Sequence, residues 1–224
     1  MRTRYNMSFR ESKQATSVDF FFGGEPFGLP REQWPLSKSN RQPMQFICQL
    51  PFGPDKFPGT AESVAYIFMS VGEDEEATWD PDSGENAVVI VPRNQTTGSV
   101  THGEAPRLCR YVKKWWRSRL SSEVCVYATG LEIAQDPEFL SRDVLMNLSE
   151  DQIEQYYAKI EGNKVGGVPR FIQDDELPFS EAWSLLMQLD STTVPFYINF
   201  GDCGIGYVFL NHDGSQAKFL WQCH

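Results

Sequence analysis

The sequence predicts an α+β fold that is mainly β, with two pseudo-duplicated β units and helices inserted in the middle. Three observations carry this expectation. Short apolar runs bounded by Gly, Pro and Asp recur along the chain, helix-start signals are confined to its middle, and a Gly-Gly-x-Pro string with its following strands occurs twice. At 224 residues, 41% hydrophobic and 22% charged, the chain can bury a substantial core and is not compositionally disordered.

Taken in order, strands are expected at Val18–Phe22, Gln45–Leu50, Val64–Ser70, Ala87–Val91 and Val124–Thr129. After the middle region they resume at Ser184–Leu189, Gly206–Leu210 and Ala217–Trp221. A first helix is expected from about Ala105 to Leu120, with Leu108, Val112 and Trp115 on one face and Arg107, Arg110, Lys114 and Arg117 on another. Asp136 followed by Pro137 reads as the N-cap and first position of a second helix. Ser149-Glu150-Asp151-Gln152 has the form of a capping box for a third, which runs to about Glu161 and stops at Gly162.

Gly23-Gly24-Glu25-Pro26 is echoed by Gly166-Gly167-Val168-Pro169, a string that composition alone would rarely produce even once. Phe46–Leu50 is matched by Leu185–Leu189, and Ala65–Phe68 by Gly206–Phe209. The chain therefore reads as one domain, 1–224, with repeat units at about 18–92 and 162–224 and a helical insertion at about 105–161. Neither unit is large enough to bury both of its faces alone.

The balance of charge, −10, speaks against a general nucleic-acid coat. No apolar run approaches the roughly 20 residues of a membrane span, so no membrane association is expected. Met1–Asn6 has basic residues but no apolar stretch behind them, so no secretory signal is expected. Five widely spaced cysteines, with no C-x-x-C, then read as reduced thiols in the cytoplasm.

Recognised catalytic strings are absent: no G-x-S-x-G, no H-E-x-x-H, no P-loop. A Cys203–His212 dyad is the nearest approach to a nucleophile and its base, and Cys203, His212, Cys223 and His224 the nearest approach to a metal set, with no standard spacing. The acidic stretch Glu73–Glu76 and Asp80–Glu85 lacks a calcium-loop register and reads as a solvated loop. No cofactor and no metal are expected. The basic window Arg107–Arg119, with Trp115 and Trp116, is the one feature that suits RNA, through Arg107, Arg110, Lys114 and Arg117.

Gln49 and Gln188 hold equivalent places in otherwise apolar strings. They are expected, with Gln173, Asp190 and Asp202, to converge on one concave surface between the two units, near Trp34 or Tyr207.

From about residue 20 to the C-terminus the sequence resembles the YwqG-like family of uncharacterised, mostly bacterial proteins. The resemblance rests on Gly23-Gly24-x-Pro26, Trp34-Pro35, Met44–Gln49, Lys164-Val165-Gly166-Gly167-x-Pro169, Ile172-Gln173, Leu185–Asp190, Phe200–Gly204, Tyr207–Phe209 and Phe219–Cys223. It implies a mainly-β roll with no established activity, cofactor or catalytic set. The family looks distantly related to programmed-cell-death-2-like proteins that chaperone a ribosomal protein, and its bacterial members look like candidates for toxin immunity. The expected function is therefore a non-catalytic protein-binding module with a protein partner, chaperone-like or toxin-immunity-like. An RNA-binding or RNA-processing protein is the alternative, and a Cys-dependent hydrolase the third reading.

Overall fold

The computed structural model describes residues 1–13, 17–72, 77–96, 98, 103–113, 121–179 and 182–224. It is mainly β, with 41% of the described residues in strand or bridge against 11% in helix or helical turn. The strands are β1 (Arg2–Glu11), β2 (Phe21–Gly23), β3 (Gln45–Phe52), β4 (Ser63–Met69), β5 (Asn86–Pro92) and β6 (Cys109–Val112). They continue with β7 (Ser121–Val124), β8 (Val126–Asp136), β9 (Lys164–Gly166), β10 (Trp183–Asp190), β11 (Ile205–Asn211) and β12 (Ala217–Gln222). The helices are α1 (Arg142–Leu145) and α2 (Glu150–Ile160).

Ten strands form one antiparallel sheet in the order β12-β11-β10-β9-β1-β8-β2-β3-β4-β5. It curls until β12 lies against β5, so the sheet is nearly closed. β6 and β7 form a separate two-stranded ribbon. Inside the curl Phe22, Ile47, Leu50, Ile67, Met187 and Val208 build the main core. Outside it, the segment after each Gly-Gly turn folds back as a cover: Leu29 and Trp34 pack on Phe46, Tyr66 and Phe68, and Phe171 packs on Leu185, Tyr207 and Phe209. The central strands are thus buried on both faces, which is why they read as unbroken apolar runs rather than alternating ones.

The two halves of the sheet share registers in detail. Gln49 faces Tyr66 as Gln188 faces Tyr207, and each strand carries its irregularity at the same place, between Phe46 and Cys48 and between Leu185 and Met187. Gly23 faces Val126 as Gly166 faces Arg4. All four glycines of the Gly-Gly pairs hold left-handed φ, from 70° to 78°. At Gly23 and Gly167 a Cβ would also come within 2.2 Å of the Cys125 carbonyl and of Asp136 Oδ2, so only glycine serves. At the centre of the sheet β1 pairs with β8 on one side and β9 on the other, and β8 pairs in turn with β2.

Three expectations are corrected. Cys109–Val112 is strand, not helix, with Arg110 opposite Glu123 and Leu108 drawn into the sheet, its carbonyl accepting from the Cys125 N–H at 3.1 Å. Tertiary backbone bonds override the helical spacing there. Lys114–Leu120 lie outside the described residues. Asp136 does not cap a helix: it ends β8 with its carboxylate fully buried, and the first helix starts at Arg142 after Ser141. Strand β1 is not among the expected strands, although Tyr5, Met7 and Phe9 alternate with polar residues and pack against the main core. The third helix is as predicted, with both bonds of the capping box made and Gly162 left-handed at its end.

Candidate functional site

The structure does not build the expected concave surface from Gln49 and Gln188. Both are fully buried. Gln49 Oε1 accepts from the Phe27 N–H at 2.8 Å, and its Nε2 donates to the Ser17 and Asp19 carbonyls. Gln188 Oε1 accepts from the Arg170 N–H at 2.8 Å, and its Nε2 donates to the Ile160 and Gly162 carbonyls. Each amide is saturated by backbone on either side of a Gly-Gly turn, so the pair braces the turns. Trp34 and Tyr207 are buried as well, Trp34 donating to the Met44 carbonyl and Tyr207 to that of Arg170. Tyr66 makes the matching bond to the Phe27 carbonyl at 2.8 Å. Asp190 is half-buried at the end of β10, its carboxylate accepting from the N–H and hydroxyl of Thr192.

Gln173 and Asp202 are exposed, and they meet the two residues that follow β12. Gln173 Nε2 donates to the Cys223 carbonyl at 2.9 Å, and the His224 N–H donates to the Asp202 carbonyl at 3.1 Å. Here Trp79, Gln173, Glu176, Trp221, Gln222 and Cys223 line a cleft of about 320 Å³. It adjoins a second, of about 350 Å³, that shares Gln173 and Cys223 and adds Arg142, Asp174 and His224.

The cleft is held from both ends of the sheet. On β5, Asn86 Nδ2 donates to the Thr78 and Asp80 carbonyls, fixing the turn that carries Trp79. On β12, Trp221 Nε1 donates to Thr78 Oγ1 at 3.0 Å, and Lys218 pairs with Asp82 at 2.7 Å. The opposite wall depends on Gln222, a buried residue that sequence reasoning missed. Its Oε1 accepts from the Ile172 and Gln173 N–H groups and its Nε2 donates to the Asp174 carbonyl and Glu176 Oε2. A signal existed: Gln222 is a polar residue closing the apolar string Phe219–Trp221. Trp79 stays 49% exposed, a large flat side chain on a pinned turn.

The RNA set comes apart. Arg107 pairs with Glu25, and Arg110 pairs with Glu11 at 2.7 Å, so both guanidiniums are occupied by carboxylates. Lys114 and Arg117 lie outside the described residues, as do Trp115, Trp116 and Glu73–Glu76. The Cys203–His212 dyad does not form, because the two residues flank opposite ends of β11, a seven-residue strand that spans roughly 20 Å. The thiol of Cys203 is moreover held above its ordinary pKa by its hydrogen bond to Asp202 and that residue's charge, the reverse of what a nucleophilic cysteine needs. The strand likewise separates His212 from Cys223 and His224. Among the described residues no three His, Cys, Asp or Glu side chains gather to hold a metal, and no helix is long and apolar enough to cross a membrane.

No curated protein matches the chain. A family match does exist, and it is compatible with the YwqG-like resemblance. The family described as a domain of unknown function (DUF1963) matches residues 21–223, and the chain belongs to it.

Proposed function

We propose that the protein is a non-catalytic protein-binding module that engages its partner through the Trp79–Trp221 cleft. The observation that carries the reading is Trp79 itself, half exposed on a turn anchored to both β5 and β12 and lining the same cleft as Gln173. Rigid, partly exposed aromatic residues beside polar groups are the usual anchors of protein interfaces. The occupied carboxylate pairs of Arg107 and Arg110 weigh against the RNA alternative, and the raised pKa of Cys203 against the hydrolase.

The reading includes an origin by internal duplication, with β2–β5 and β9–β12 as the two copies and β1 and β8 exchanged between them. Shared registers, glycines and bracing glutamines support it. It also includes a single folding unit and a reducing, cytoplasmic place of work, in keeping with cysteines such as Cys48 and Cys125 that stay as thiols in the core.

Affinity capture from native lysate, with and without nuclease, tests the function. A protein that survives nuclease and is lost about ten-fold or more with Trp79→Ala, while Gln173→Ala weakens it less, is the expected result. Recovery that depends on RNA, or that neither variant changes, would overturn the proposal.

A further inference from the structure

Strands β2 and β9 are three residues long, so the sheet has a gap beyond the end of each. Beyond Gly23 the gap lies between Phe46 of β3 and Cys125, which precedes β8. The chain fills it with its own segment. Arg107 bridges Phe46 in the parallel sense, Cys109 bridges Tyr197, and the fully buried Leu108 gives its carbonyl to the Cys125 N–H at 3.1 Å.

Beyond Gly166 the corresponding gap is open among the described residues. It is a cleft of about 350 Å³ between Arg2–Thr3 of β1 and Ser184–Leu185 of β10, walled by Phe57 and Pro58. The registers set the correspondence: Arg4 faces Gly166 as Val126 faces Gly23, so Thr3 holds the place of Cys125, and Leu185 precedes its strand irregularity as Phe46 does. The Thr3 carbonyl accepts from the Gly167 N–H at 3.0 Å. In an antiparallel strand the N–H and C=O of one residue point to the same edge, so the Thr3 N–H is directed into the cleft. β9 pairs only with Met187 and Gln188, which leaves the edge of Ser184–Leu185 on that side to the cleft.

The two gaps differ in charge. The filled one presents Glu25 and Glu11, and it holds a segment carrying Arg107 and Arg110. The open one has Arg2 at its rim and a Lys56–Asp55 pair. We propose that the open cleft takes an extended segment of a partner polypeptide, with an apolar side chain in the place of Leu108 and carboxylates flanking it. Main-chain bonds to Thr3 and to the edge of β10 hold the segment as an added strand, and Arg2 selects its charge. This surface is separate from the Trp79 cleft and does not depend on that reading.

The test uses the full chain and a fluorescein-labelled peptide copying Ala105–Val112 with Arg107→Glu and Arg110→Glu. Saturable binding is expected by anisotropy, about ten-fold or more weaker for the same peptide with its arginines kept or with Leu108→Asp. Arg2→Glu or Ser184→Arg in the protein should weaken it to a similar degree, and the Thr3 amide resonance should shift on titration. Arg2 is exposed, so Arg2→Glu alone decides if Ser184→Arg unfolds the protein. No saturable binding, or binding that Arg2→Glu leaves unchanged in a protein with wild-type melting temperature, would overturn the proposal.

Discussion

Lys164 is fully buried in the three-residue strand β9, with Nζ donating to Asp136 Oδ2 at 2.8 Å and to the Ile160 and Val168 carbonyls. Burial pulls its pKa down from 10.5 to about 8, against the opposing pull of Asp136. Between those values the unfolded chain keeps a proton that the folded chain has released, so stability rises with pH across the window and is lost as pH falls toward 8. Relative to Lys164→Met, wild type should gain stability between pH 8 and pH 10.4 in denaturant melts. A difference that stays flat across the window would contradict this. On the acid side, burial pushes the Glu85 carboxyl up, and hydrogen bonds from Ser37, Ser70 and the Ser39 N–H outweigh it, so its pKa is lowered. Its contribution is complete above the ordinary carboxylate range and is lost as pH falls below it. The two bracing glutamines make a third residue-scale prediction. Gln49→Ala or Gln188→Ala strands backbone groups in the core and should cost about 2–3 kcal/mol each, while Gln173→Ala at the surface should cost well under 1 kcal/mol.

At the scale of elements, α2 shows how far local sequence reaches. Ser149 Oγ accepts from the Gln152 N–H and Gln152 Oε1 from the Ser149 N–H, while Tyr156 and Ile160 pack on Leu145 and Val168. Ser149→Ala should cost about 1 kcal/mol in the same melts. This helix was legible because its signals are local: a cap, a period and a stopping glycine. The inner strands β3, β4, β10 and β11 were legible because burial on both faces leaves apolar runs. β1 carries a period of its own, Tyr5, Met7 and Phe9 alternating with Arg4, Asn6, Ser8 and Arg10, but only three apolar side chains mark it. β6 failed in the opposite direction, because its spacing satisfies a helix while the gap beside Cys125 demands an extended chain. The candidate site was legible only in part. Gln173 is there, but Trp79 and Gln222 come from opposite ends of a curled sheet, and contact across such a seam leaves no trace in local pattern.

The whole molecule depends on β1, which lies between β8 and β9 at the centre of the sheet. β1 pairs along its full length with β8, from Arg2 opposite Asp136 to Glu11 opposite Tyr127, and with β9 on its other side. Across the core Cys48 Sγ lies 3.9 Å from Met187 Sδ, two residues at matching places in the two halves. Deleting residues 1–12 would open two edges at the centre of the sheet, so the shortened chain should lose the cooperative thermal transition of the full one. A truncated chain that melts like the full one would show that the halves are independent. The protein-binding reading is tested most directly by hydrogen–deuterium exchange on the complex with its captured partner. The expected result is slowed exchange at Gln173–Glu176 and Trp221–Cys223, with Arg107–Val112 unchanged. Protection confined to Arg107–Val112, gained only when RNA is present, would contradict it.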